Sequence, residues 1–163
     1  MATTALGGTP AHTIGEPPAL GTQAPAFELT GNDFETVTLP RGTRVVLNIF
    51  PSVNTGVCSA SVRRFNELAA GLDDTTVICV SKDLPFVLAG FCGAEGIDNV
   101  TTASAFASTF GEEYGVTMID NKWRGLLART VVVIDRDGTV LYTDVTPTIG
   151  QEPDYDKAIA ALG

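Results

Sequence analysis

Cys58 is the side chain whose place in the sequence points most directly to chemistry. A short, β-branched apolar run at Val45–Phe50 predicts a buried strand, and Pro51 and Gly56 predict a turn after it. Apolar residues at helical spacing follow, so the thiol lies in the first turn of a predicted helix. Free backbone N–H groups and the positive end of a helix dipole favour a thiolate there. We therefore expect Cys58 to be a nucleophile.

The elements around Cys58 predict an α/β fold. A second β-rich run at Thr75–Ser81 completes a strand–helix–strand unit, whose strands should be parallel and whose crossover should be right-handed. Ligands bind beyond the carboxyl ends of the strands in such sheets, which is where Cys58 lies. Downstream, the sequence predicts a helix capped by Asp83 and ending near Gly93 or Gly96, a short helix over Ser104–Phe110, a strand at Thr130–Ile134, a hairpin turn at Asp135–Gly138, a returning strand at Thr139–Tyr142 and a last helix over Pro153–Leu162.

The part of the chain before Cys58 predicts further strands. Ala11–Ile14, Phe27–Thr30 and Thr36–Leu39 are expected to be short strands, and residues 1–9 are expected to be partly disordered. The whole pattern matches a thioredoxin-like layered sheet.

Length and charge limit the classes of function. With 163 residues, the chain is expected to form one domain over residues 1–163. A net charge of −9 argues against nucleic-acid and membrane binding, because phosphates and anionic lipids repel it. The start of the sequence does not resemble a signal peptide, and three cysteines then suggest a reducing compartment. We expect a cytoplasmic protein.

The other thiol and imidazole candidates favour structural roles. Cys79 lies between Ile78 and Val80 in a predicted strand and is expected to be core packing. The single histidine, His12, is expected at the surface. Because the chain has no second histidine, the sequence argues against the active site of a Cys/His hydrolase. Three cysteines without a Cys-x-x-Cys spacing also argue against a zinc site.

The residues around Cys58 also resemble a known family. Ser52–Cys58 is similar to the peroxidatic loop of thiol peroxidases, the Tpx subfamily of atypical 2-Cys peroxiredoxins. Four other segments resemble that family in the expected order: Asp83–Phe86, Phe91–Gly96, Gly125–Val131 and Glu152–Tyr155. The resemblance implies a thioredoxin-like fold, with a central mixed β-sheet flanked by helices and an N-terminal β-hairpin. Asn121–Arg124 departs from the family pattern, which usually has a Gly-Pro-containing turn there.

The resemblance assigns roles to four residues. Cys58 would be the peroxidatic cysteine, whose thiolate attacks a hydroperoxide and becomes a sulfenic acid. Cys92 matches the resolving cysteine, which would condense with that sulfenic acid to give an intramolecular disulfide. Thr55 and Arg129 match the residues that stabilise the thiolate and hold the peroxide.

The resemblance also implies an activity and its partners. Hydrogen peroxide and organic hydroperoxides would be reduced to water and alcohols, and thioredoxin would reduce the disulfide again. A homodimer is implied as well. No metal or organic cofactor is expected, because sulfur carries both electrons.

Two groups would favour the Cys58 thiolate, and their magnitudes differ. A helix N-terminus contributes about 0.3–1 kcal/mol. A cation about 4 Å away contributes up to about 4 kcal/mol at an effective dielectric of about 20. We therefore expect Arg129 to be the main activating charge if it lies near the thiol, while Thr55 also serves as the N-cap.

Three other functions are alternatives to a peroxidase. A thioredoxin-like disulfide reductase needs Cys-x-x-Cys, but Ser61 stands three residues after Cys58. A peroxiredoxin with its resolving cysteine five residues on needs a cysteine where the chain has Arg63. A redox sensor, or a thioredoxin-like protein stapled by a Cys58–Cys92 disulfide, remains open, and repeated peroxide turnover distinguishes an enzyme from either.

Overall fold

A mixed seven-stranded sheet, with strand order β4-β3-β7-β6-β5-β8-β9, forms the centre of the molecule, and β1 and β2 form a separate hairpin. The structure is a computed structural model that describes residues 1–163. The strands are β1 (Thr3–Leu6), β2 (Thr9–His12), β3 (Glu28–Gly31), β4 (Thr36–Thr38), β5 (Arg44–Ile49), β6 (Thr75–Ser81), β7 (Thr101–Ser104), β8 (Thr130–Ile134) and β9 (Val140–Val145). The helices are α1 (Gly56–Ala69), α2 (Pro85–Glu95), α3 (Phe110–Glu113) and α4 (Tyr155–Ala160).

The predicted strand–helix–strand unit is present as β5, α1 and β6. β5 pairs in parallel with β6 along its length and antiparallel with β8 on its other side, so it lies in the middle of the sheet. Val45, Leu47 and Ile49 pack into one hydrophobic layer, whereas Val46 and Phe50 pack into the other, which also receives α1. Both faces of β5 are therefore buried, which explains why every residue from Val45 to Ile49 except Asn48 is apolar.

The structure contains a strand that the sequence did not predict. β7 inserts between β6 and β3, parallel to the first and antiparallel to the second. Its Thr-Thr-Ala-Ser sequence is short and lacks an apolar alternation, so only its neighbours identify it as a strand. The predicted helix over Ser104–Phe110 is wrong, because Ser104 ends β7 and Phe110 begins α3.

The N-terminal residues also differ from expectation. Residues 3–6 are β1 rather than a partly disordered tail, and β1 pairs with β2 around Gly7 and Gly8, which both have positive φ angles. The Thr4 hydroxyl is buried and donates to the Thr146 carbonyl at 2.7 Å. This hairpin supplies Leu6 and Gly7 to the wall of a cavity described below.

The bounds of the helices α2 and α4 are close to those that the sequence predicts. α2 ends at Glu95, and its C-cap residue, Gly96, has a left-handed backbone with a φ of 66°. α4 is shorter than the predicted Pro153–Leu162 helix, since the Asp154 side chain caps it by accepting from the Lys157 N–H. No helix in the structure is both long and apolar enough to span a membrane.

Candidate active site

Cys58 lies in the first turn of α1, directly beyond the carboxyl end of β5. Thr55 is the N-cap residue, with extended backbone angles, and its Oγ1 accepts a hydrogen bond from the Cys58 N–H at 3.3 Å. Such a cap satisfies one of the backbone donors that a helix start leaves free. The Cys58 side chain is fully buried. The local sequence therefore places the thiol at the predicted helix start, and packing against distant parts of the chain removes it from bulk water.

Arg129 contacts Cys58, although 71 residues separate them in the sequence. Its Nη2 donates to the Cys58 Sγ at 3.1 Å, and its Nε donates to the Ile149 carbonyl at 3.0 Å. The strand register explains this contact, because Ile49 at the end of β5 pairs with Thr130 at the start of β8. Arg129 immediately precedes β8, so antiparallel pairing brings it to the end of β5 that leads into the Cys58 turn.

The charge of Arg129 favours the thiolate form of Cys58. Arg129 is only 1% exposed, and it forms no ion pair with a carboxylate. A buried charge is costly unless it is paired, and the Cys58 sulfur is the one ionisable atom to which Arg129 donates a hydrogen bond. At 3.1 Å and an effective dielectric of 20, the attraction amounts to about 5 kcal/mol before desolvation is subtracted. This exceeds the contribution of about 0.3–1 kcal/mol from the helix N-terminus.

A cavity of about 270 Å³ adjoins the Cys58 turn. Its wall includes Thr55 and Arg129 together with residues of the N-terminal hairpin, the first turn of α1 and two loops: Leu6, Gly7, Gly56, Val57, Trp123, Thr148, Ile149 and Gly150. The Arg129 Nη1 is buried and has no hydrogen-bond partner. An oxygen-containing ligand that reaches Arg129 can therefore accept a hydrogen bond from this atom while Nη2 stays on the Cys58 sulfur.

Cys92 lies apart from the other three predicted site residues, Cys58, Thr55 and Arg129. All three thiols of the chain are free, and Cys92 is half-buried on α2. Its Sγ lies 3.2 Å from the Thr102 Oγ1 on β7, whereas Cys58 contacts the residue before β8. Three strand spacings separate β7 from β8, which is about 14 Å of sheet. A disulfide needs Cα atoms within about 7 Å, so joining Cys58 and Cys92 requires a rearrangement.

Asp83 has a larger role than the helix cap predicted for it. Leu84 is the N-cap residue of α2 and makes no side-chain capping bond. The Asp83 carboxylate accepts instead from the Ser52 hydroxyl at 2.7 Å, the Val53 N–H at 2.9 Å and the Ser81 hydroxyl at 2.6 Å. It thereby joins the turn before Cys58 to the start of the helix that carries Cys92. The sequence clue was its place just after β6, beside the end of β5.

The remaining cysteine and the histidine are placed as expected from the sequence. Cys79 is fully buried, and burial raises the pKa of its thiol to about 12, so it stays protonated at neutral pH. His12 is partly exposed and pairs with Asp120 through its Nδ1 at 2.6 Å. Hydrogen bonds from His12 lower the pKa of the Asp120 carboxyl. No group of three or more metal-ligating side chains is present in the structure.

Comparisons with known proteins identify the family. A family model described as Redoxin matches residues 19–159. A protein of Mycobacterium tuberculosis named "Thiol peroxidase" is 56% identical over 165 residues, which cover 100% of this chain and 99% of that protein. The chain belongs to the thiol peroxidases of the redoxin family. The resemblance noted from the Cys58 loop is therefore confirmed, and the chain is a peroxiredoxin-type peroxidase.

Other matches agree with this family and with its fold. A "Thiol peroxidase" of Corynebacterium glutamicum is 52% identical over 164 residues and covers 99% of both chains. A peroxiredoxin-like protein from Aquifex aeolicus has a TM-score of 0.95 at 34% identity, covering 99% of this chain and 96% of its own. A thiol peroxidase from Chromobacterium violaceum, at 19% identity and a TM-score of 0.90 over 98% of this chain and 94% of its own, shows the shared fold. The thioredoxin-like architecture with an N-terminal hairpin is confirmed.

Proposed function

We propose that Cys58 is the peroxidatic cysteine of this peroxidase, with Arg129 and Thr55 completing its site. The observation that carries the proposal is the 3.1 Å contact between the Arg129 Nη2 and the Cys58 Sγ, made by a buried guanidinium without a carboxylate partner. A neighbouring cation stabilises the negative charge of a thiolate, which is the nucleophilic form of a cysteine. Thr55 fixes the helix start that carries the sulfur, through its bond with the Cys58 N–H.

The first step oxidises Cys58 and reduces the hydroperoxide. The thiolate attacks one oxygen of the hydroperoxide, the O–O bond breaks, and the sulfur becomes a sulfenic acid. The other oxygen takes a proton and leaves as water or an alcohol. The unpartnered Arg129 Nη1 would donate to a peroxide oxygen and stabilise the charge that develops when the O–O bond breaks. The cavity beside Thr55 and Arg129 provides room for hydrogen peroxide or for the organic part of a larger hydroperoxide.

The second step uses Cys92 as the resolving cysteine. The Cys92 thiol attacks the sulfur of the Cys58 sulfenic acid, an S–S bond forms, and the hydroxyl group leaves with the thiol proton as water. Because the two sulfurs lie on different helices and contact parts of the sheet three strand spacings apart, we expect parts of α1 and α2 to unwind first. α2 suits this change, since it contains Gly90 and Gly93, and glycine weakens helices by about 1 kcal/mol each.

Recycling and assembly follow the family. A thioredoxin-type dithiol would attack the disulfide and return both cysteines to thiols, by exchange through a mixed disulfide. Thioredoxin as the reductant, a homodimeric assembly and a cytoplasmic location are proposed on the strength of the family membership. No metal or organic cofactor takes part in these steps, because the two electrons pass between sulfur and oxygen.

A thioredoxin-coupled peroxide assay tests the assignment of the cysteines. Cys58→Ser should have no activity, and Cys92→Ser should reduce about one equivalent of peroxide and then stop, because a sulfenic acid without a partner is not recycled. Cys79→Ser is the matched control and should turn over many times. Full turnover by Cys58→Ser would contradict the proposal, and a wild type that is oxidised once without cycling would favour a redox sensor.

A further inference from the structure

The resolving thiol proposed above is held by a chain of two hydrogen bonds. The Cys92 Sγ lies 3.2 Å from the Thr102 Oγ1, and the Thr102 hydroxyl donates to the Asn32 Oδ1 at 2.8 Å. Thr102 is 97% buried on β7, and Asn32 lies in the turn after β3. The two strands pair with each other, which sets the amide and the hydroxyl side by side.

The direction of the bond to sulfur follows from the number of protons available. A threonine hydroxyl carries one proton, and Asn32 accepts it. The Thr102 oxygen then has only lone pairs to offer to Cys92, so the Cys92 S–H must be the donor. The contact therefore directs the Cys92 S–H group at β7, away from the β8 side of the sheet where Cys58 lies.

We propose that Thr102, oriented by Asn32, is a positioning residue that restrains Cys92 in its reduced position and so slows disulfide formation. The inference rests on the proposed resolving role of Cys92. The Cys92 thiol must leave Thr102 before it can reach the Cys58 sulfenic acid. The Cys92–Thr102 hydrogen bond is present in the starting state but broken during the attack, so it raises the activation barrier of disulfide formation. The Asn32–Thr102–Cys92 chain thus lengthens the life of the sulfenic acid.

A longer-lived sulfenic acid has a chemical consequence. A second hydroperoxide can oxidise it to a sulfinic acid, with the O–O bond broken again and water or an alcohol released, and the enzyme is then inactive. Resolution by Cys92 and this second oxidation compete for the same intermediate. The chain therefore sets the peroxide concentration at which the peroxidase is inactivated.

Quenched-flow measurements on the full-length protein test the proposal. Reduced enzyme is mixed with hydrogen peroxide, quenched with acid and alkylated, and the Cys58 sulfenic acid, the Cys58 sulfinic acid and the Cys58–Cys92 disulfide are followed by mass spectrometry. Thr102→Val should form the disulfide about threefold faster, because one weak neutral hydrogen bond is lost from the starting state. It should also yield less sulfinic acid at high peroxide, with an unchanged rate of the first step.

Three variants separate this role from general support of the fold. Thr102→Ser keeps the hydroxyl and should restore the wild-type rate. Thr101→Val makes the same substitution at the exposed neighbour on β7, which has no bond to Cys92, and should leave the rate unchanged. The double variant Asn32→Ala, Thr102→Val should form the disulfide at the same rate as Thr102→Val alone, since Asn32 acts through Thr102. If Thr102→Val does not fold, Thr102→Ala, which removes the hydroxyl without adding an atom, replaces it.

A spectroscopic readout completes the test. The S–H stretching band of Cys92, identified by its loss in Cys92→Ser, should move to higher frequency in Thr102→Val and stay in place in Thr101→Val. An unmoved band, or an unchanged or slower disulfide step in Thr102→Val, would overturn the inference while leaving the resolving role intact. If the wild type forms no Cys58–Cys92 disulfide at all, the proposed function itself fails.

Discussion

Replacement of Arg129 tests the electrostatic reasoning most directly. Arg129→Met keeps most of the apolar stem of the side chain and removes the guanidinium that donates to the Cys58 Sγ at 3.1 Å. A hydrogen bond to a charged group contributes about 1.5–3 kcal/mol. The attraction between two charges at this distance is about 5 kcal/mol at an effective dielectric of 20, which is the upper limit. Removing the cation should therefore lower the equilibrium constant for formation of the Cys58 thiolate at least tenfold.

Two assays measure the effect of Arg129→Met. Thiolate formation is followed by ultraviolet absorbance against pH in a Cys79→Ser, Cys92→Ser background, so that only Cys58 contributes. The second-order rate of peroxide reduction is then measured by stopped flow, and it should fall by more than the thiolate population, because the Nη1 donor to the peroxide is lost as well.

Thr55→Val is the comparison that decides between the two activating groups. It removes the oxygen that accepts from the Cys58 N–H but leaves Arg129 in place. Loss of an N-cap costs about 0.5–2 kcal/mol of stability, yet it changes the charge around the sulfur little. We expect a smaller loss of thiolate than in Arg129→Met. An equal or larger loss in Thr55→Val, or an unchanged thiolate population in Arg129→Met, would refute the ranking.

Three further outcomes follow from particular contacts. Gly93→Ala should slow disulfide formation about fourfold in quenched-flow experiments and leave the first step unchanged, because an added Cβ meets nothing within 4 Å and alanine stabilises α2 by about 0.8–1 kcal/mol. An unaltered disulfide step would show that α2 does not unwind during resolution. Asp83→Asn should lower the free energy of unfolding in urea by about 1.5–3 kcal/mol, since an uncharged amide replaces the acceptor of three hydrogen bonds; an unchanged unfolding midpoint would contradict this. Cys79 should resist alkylation in the native protein, and its burial should make stability fall as the pH rises from about 9 towards 12, because its thiol ionises more readily in the unfolded chain; rapid alkylation at neutral pH would argue against it.

Local patterns in the sequence were sufficient for several elements near the site. The β-branched run of β5, the proline and glycine after it and the helical spacing of α1 each arise from interactions between near neighbours, so they predicted the start of the helix at Cys58 correctly. The strand–helix–strand order likewise predicted the parallel pairing of β5 and β6. The same reasoning failed for β7, whose small polar residues form a strand only because β6 and β3 supply hydrogen-bond partners on both sides.

Asp83 shows a different limit of sequence reasoning. An aspartate two residues before the proline of a helix's first turn is a plausible N-cap, and the sequence offered no reason to prefer another partner. In the structure, the Ser52 hydroxyl and the Val53 N–H come from a turn 30 residues or more away, and together with Ser81 they occupy the carboxylate. The three hydrogen bonds that the Asp83 carboxylate accepts there are together more stabilising than the single backbone hydrogen bond of a helix N-cap.

By itself, then, the sequence determined the thiol at a helix start, the core strand behind it and, through its motifs, membership of the thiol peroxidases. Only the tertiary structure decided which atoms surround that thiol. The pairing of β5 with β8 brings the Arg129 guanidinium to Cys58 across 71 residues, and the insertion of β7 gives Cys92 its bond to Thr102. The physical reason is that propensity and periodicity act over a few residues, whereas strand order and register bring distant residues into contact only when the whole sheet has formed.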